Sequence, residues 1–146
     1  FVVASFPILS KTFAEKEEGK FWFTYGETSK KIVLYTFVAT VLLWFSKGYV
    51  TSILLGNSSP ELALAFGFFI LSLIPQSVEL LITRAYYARG ETKKAAYLNI
   101  YACLITVALV YGIGTSVSNI ALAFTIGAWV SCLMFYVSIE GYRRLQ

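Results

Sequence analysis

Four polar side chains form a stripe along an otherwise apolar segment: Ser72, Gln76, Glu79 and Thr83. Their steps of four, three and four residues place them on one face of a helix. Pro75 lies within the segment and Arg84 closes it. The apolar run before them, Leu62 to Leu73, can enter a bilayer but not cross it, because a span takes roughly 20 residues. A charge at the centre of a spanning helix costs about 2.5–3.5 kcal/mol on insertion scales, so Glu79 should face protein or water. Counted back from Arg84 at 1.5 Å per residue, it lies roughly 7 Å inside. Two roles stay open for it. It could line a hydrated cavity and bind a cation or proton, or it could make a structural ion pair or hydrogen bond with a neighbouring helix. Pro75 leaves the carbonyl near Leu71 without its helical donor, and such breaks occur where helices line cavities or bend. Asn99, Cys103 and Thr106 make a second weakly polar seam that could meet the first across a helix interface. The expected cavity-lining residues are therefore Ser72, Gln76, Glu79, Thr83 and Asn99, with a kink at Pro75. Arg84 is expected to anchor the helix end or to meet an anionic headgroup.

Other chemistry is sparse. The 146 residues are 58% apolar and 14% charged, against roughly 25% charged in soluble domains. All eight acids are glutamates and histidine is absent, which excludes histidine bases and ligands. Cys103 and Cys132 sit in apolar runs without ligand partners, so they read as small hydrophobes, not as a metal site or redox pair. There is no phosphate-binding glycine loop, no triad and no paired carboxylates at membrane depth. An enzyme is disfavoured and no cofactor is expected. The basic residues follow from topology, so no nucleic-acid partner is expected either.

The elements that must position the stripe are membrane spans. Phe1 to Leu9 reads as the tail of a transmembrane helix that begins outside this sequence, so residues 1–10 form its end. Residues 11–31 form a charged cytoplasmic loop region, the densest charge in the chain, and two readings stay open for it: partly helical with Phe13, Phe21 and Trp22 against a membrane surface, or a solvated connection. Residues 32–146 then hold four spans. The first extends from Ser29 to about Lys47, and Val50 to Leu55 is a short interfacial segment. Ser59 is the expected N-cap of the next helix, with Pro60 at its first position. Ala95 to Gly112 and Asn119 to Ile139 complete the count, and Ala123, Gly127 and Ser131 make a small-residue ridge suited to close packing. Eleven of the twelve basic residues fall on one side of this arrangement, leaving only Lys47 on the other. The basic side is the cytoplasmic one. The fold class is an all-α integral membrane protein with four complete transmembrane helices plus the end of a fifth.

Several stretches resemble the MurJ/MviN family of lipid II flippases, within a wider superfamily of multidrug and polysaccharide exporters. Arg84-Ala85-Tyr86-Tyr87-Ala88-Arg89-Gly90-Glu91-Thr92 looks like that family's Arg-x-Phe/Tyr-Tyr-Ala-x-x-Asp/Glu-Thr helix end. Phe6-Pro7-Ile8-Leu9-Ser10-Lys11 with Phe13-Ala14-Glu15 is similar to its Pro-x-Leu-Ser-(Arg/Lys) stretch. Pro75-Gln76-Ser77 with Leu80-Leu81 fits its tenth helix, and Ala121 to Trp129 its twelfth. The chain departs from the family in a shorter loop after Leu55, in Lys93-Lys94-Ala95, and in the acid at Glu79. The resemblance implies part of a fourteen-helix transporter of the bacterial inner membrane, whose two lobes rock around a cationic cavity. The partners it implies are a lipid-linked oligosaccharide, membrane lipids and an N-terminal lobe of the same protein. The alternatives are a flippase for another polyprenyl-diphosphate glycan, or a membrane interaction module that transports nothing.

Overall fold

The computed structural model describes Pro7 and residues 10–14, 18–56 and 59–144. Those residues are helical apart from short turns, with no strand among them. The helix tail expected over residues 1–10 lies almost wholly outside the described residues.

Helix α1 runs from Glu18 to Leu55, 38 residues without interruption. At 1.5 Å per residue it is about 57 Å long, nearly twice a ~30 Å hydrocarbon core. Of the two readings of the charged stretch, the helical one holds from Glu18 onward, and Val50 to Leu55, expected as a separate interfacial segment, continues the same helix. The reason is that glutamate and lysine are good helix formers, and leaving a membrane does not break a helix. Lys47, expected as an exit marker, sits mid-helix with its amine 3.8 Å from the Trp44 ring centroid. The helix stops only at Gly56, whose φ of 65° suits glycine.

The next helix is in two pieces, α2 (Pro60–Leu71) and α3 (Leu73–Ala88). Ser59 caps α2 by accepting from the Leu62 amide at 3.2 Å, with Pro60 opening the helix, as the sequence predicted. At the other end, Gly90 adopts φ 76°. Its amide reaches Tyr87 O at 3.0 Å and that of Glu91 reaches Tyr86 O at 2.9 Å. This is a Schellman end, and it turns the chain back at once into α4 (Thr92–Ile113). Helix α5 (Val117–Arg144) closes the bundle.

α5 packs against α2, α3 and α4 and is the central element. Three hydrogen bonds among the described residues fasten it to the α2–α3 pair. Thr125 Oγ1 donates to Phe68 O, Ser131 Oγ donates to Glu79 Oε2, and Tyr86 and Ser138 share a hydroxyl bond, each at 2.7 Å. The buried core gathers at the basic end, where Phe21 and Ile32 of α1 meet Leu81, Tyr86, Phe135 and Ile139. Among the described residues four stretches are long and apolar enough to cross a membrane: Glu18–Ile53, Pro60–Ala88, Thr92–Ile113 and Val117–Gly141. The protein is an all-α membrane protein.

Candidate functional site: a polar cleft beside α3

Pro75 shapes the site without being the point at which the helix breaks. It is buried in the first turn of α3, and the break falls at Ser72, three residues earlier. A proline ring withdraws the donor for the carbonyl four residues back and crowds it, so the disturbance appears a turn upstream. Side-chain hydroxyls brace the break. Ser72 Oγ donates to Phe69 O at 2.7 Å and accepts from Gln76 Nε2 at 2.6 Å. Thr125 supplies the hydroxyl on Phe68 O from α5.

Below the break, a cleft of about 580 Å³ opens along α3. Gln76, Glu79, Thr83 and Arg84 line it from α3, and Asn99 from α4. Five of the six polar residues singled out from the sequence thus stand around one space. Ser72 does not; it is 1% exposed and its hydroxyl is occupied within the helix break. Asn99 donates to Ala95 O at 2.8 Å. The second seam does not meet the first as a unit. Cys103 is exposed, while Thr106 turns away to Gly127 of α5.

Glu79 lies deeper than counting from Arg84 implies. Helix α3 continues to Ala88, nine residues beyond Glu79, so the carboxylate stands about 13–14 Å from the helix end. Packing gives the same depth independently. Gly127 abuts Thr106, so Ser131, one turn further along antiparallel α5, stands level with Ala102. Ala102 is at the middle of the 22-residue α4, and Ser131 is the residue bonded to Glu79. The carboxylate is thus level with the middle of α4 and of α5. Of the roles left open by the sequence, an ion pair is not found: among the described residues its hydrogen-bond partner is Ser131.

The sequence did not reveal Ser131 as that partner. It was visible only as the third member of the small-residue ridge, and only the depth of the two spans links it to Glu79. Tyr87, at the basic mouth of the cleft, was likewise missed as a lining residue. The assembled surface carries amide, hydroxyl, carboxylate and guanidinium groups at membrane depth. No cluster of three metal-ligating side chains occurs among the described residues. Such a surface suits passage or binding of a polar group.

A family model described as lipid II flippase MurJ matches residues 1–145. No curated protein and no solved structure matches the chain.

Proposed function

The chain belongs to the MurJ lipid II flippase family, and on that premise we propose that it helps carry a lipid-linked peptidoglycan precursor across the bacterial cytoplasmic membrane. It acts as a transporter and not as an enzyme. The observation that carries this reading is the cleft itself: a polar lining at membrane depth, running from Gln76 down to Arg84 at the basic mouth. A sugar headgroup needs hydroxyl and amide partners inside the membrane, and this face of α3 provides them.

A diphosphate needs more. Arginine recognises phosphate through a planar fork, and several such cations are needed for two phosphates. Arg84 supplies one along this cleft. The reading therefore places these helices in a larger bundle, with a facing lobe that contributes further cations and closes over the headgroup in alternating access. Tyr87, at the basic mouth of the cleft, has a ring suited to a headgroup layer.

The test uses the full-length protein in cells depleted of their own lipid II flippase. It should restore growth and expose lipid II to an impermeant probe at the outer face. Correct insertion without any exposure of lipid II would sink the proposal. Exposure of a different polyprenyl-linked glycan in its place would reassign the substrate.

A further inference from the structure

We propose that Glu79 is a proton-binding site at the middle of the membrane, with Ser131 as its positioning hydroxyl and the α3 cleft as its route to water. The proposal deepens the transporter reading and rests on it only for what the proton drives.

The geometry carries the argument. The carboxylate is level with the midpoints of α4 and α5, yet it is half-buried and lines an open cleft. An ionisable group at that depth is rare unless it faces protein or a water-filled space. Glu79 faces both. Oε2 accepts from Ser131 Oγ at 2.7 Å, which fixes the carboxyl plane and leaves Oε1 as the atom to take a proton. The exchange balances simply: hydronium in the cleft gives its proton to Oε1, leaving water and a neutral carboxyl, and the reverse step returns it. Ser131 needs only to rotate its hydroxyl, since serine in a helix can turn to the carbonyl four residues back.

The surrounding groups favour a site of this kind over a fixed ion pair. On its own helix, Arg84 and Tyr87 line the same cleft, with Arg84 five residues away, about 7.5 Å along the axis. α5 brings Cys132, next to Ser131 and within electrostatic reach of Glu79. α1 brings Tyr25 towards Cys132. α4 brings Asn99, which is uncharged. No ion pair to Glu79 occurs among the described residues, so gain and loss of its charge break no salt bridge there. The bond to Ser131 is also the middle one of the three that fasten α5 to α2–α3. A change in the charge of Glu79 therefore acts on the contact that joins the two helices at the midplane.

The experiment is infrared difference spectroscopy on the full-length protein in lipid nanodiscs over a range of pH. Wild type should show a protonated-carboxyl stretch that titrates and shifts in heavy water, and Glu79→Gln should lack it. Ser131→Ala should keep the band but displace it, because the hydrogen bond to the carboxyl is lost. Flipping by Glu79→Gln in liposomes should become independent of pH while that of wild type varies. Identical spectra for wild type and Glu79→Gln would overturn the proposal. If Glu79→Gln does not fold, an undisplaced band in Ser131→Ala overturns it instead. A titrating band with no flipping at any pH refutes the transporter reading and upholds the proton site. Flipping without the band does the reverse.

Discussion

Gly127→Ala should loosen the contact between α4 and α5 by a predictable amount. A Cβ at this position would overlap Thr106 Oγ1 and stand 3.1 Å from Thr106 Cβ and 3.2 Å from Cγ2. Carbon atoms rest at about 3.5–4.0 Å, so either the helices part by roughly half an ångström or Thr106 turns. Turning is resisted because Thr106 Oγ1 holds Ala102 O at 2.9 Å. Overpacking of this kind costs about 1–3 kcal/mol, and the better helix propensity of alanine offsets up to ~1 kcal/mol of that. No hydrophobic gain is added, since lipid tails are as apolar as the new methyl group. The net loss should be about 1–2 kcal/mol. Reversible unfolding in mixed micelles reads it, and a double-mutant cycle isolates it. Thr106→Ala alone removes one helix-internal bond, worth about 0.5–1.5 kcal/mol, but in combination it should restore most of what Gly127→Ala loses. Wild-type stability in Gly127→Ala, or no rescue by Thr106→Ala, would refute the packing argument.

Three further outcomes are expected. In a background of Cys103→Ser and Cys132→Ala, a cysteine at Ser116 should react with an impermeant maleimide from outside intact cells, and one at Thr92 should not; labelling at Thr92 would reverse the orientation. If Arg84 only anchors the helix end, Arg84→Lys should be nearly silent, because lysine keeps the charge and snorkels; if it holds a phosphate, Arg84→Lys should lower flipping about as much as Arg84→Ala at equal expression, because the planar fork is lost. Pro75→Ala returns a donor to the carbonyl of Leu71 and should stabilise the α2–α3 helix by about 1 kcal/mol while lowering flipping if the bend is needed, read by unfolding and transport on the same preparation.

What was legible in the sequence was local or periodic. Ser59 and Pro60 announce a helix start by their own chemistry. The steps between Gln76, Glu79 and Thr83 are fixed by helix geometry, so their common face needed no tertiary information. The misjudged features all depended on where a helix ends or what lies opposite it. Counting from Arg84 leaves out the last turn of α3, which runs on to Ala88. The actual end is set by Gly90 in a left-handed conformation. At Lys47, likewise, the helix runs on, to Leu55. The Asn99, Cys103 and Thr106 seam shares a face by spacing, but α5 claims Thr106 through Gly127 and leaves Asn99 to the cleft. Spacing shows which residues share a face and is silent on which neighbour each will meet.

Stability alone gives little reason to keep an acid at position 79. A charge at the midplane costs about 2.5–3.5 kcal/mol to insert. A hydrogen bond to a charged group contributes about 1.5–3 kcal/mol, and membrane pairs fall at the lower end because the inserted but unpacked chain also finds partners. The bond from Ser131 therefore roughly cancels the insertion cost without exceeding it. Leucine would avoid the cost altogether, and Ser131 could then turn its hydroxyl to a carbonyl of its own helix. The neighbouring positions follow that apolar logic: Leu80, Leu81 and Ile82 sit beside Glu79 in the same turn, two of them fully buried. The acid departs from it at the one position of the stripe that faces the cleft at the midplane. An ionisable side chain whose fold is no stronger for its presence is best understood by what its charge does, and Glu79 both lines the cleft and holds α5 through Ser131.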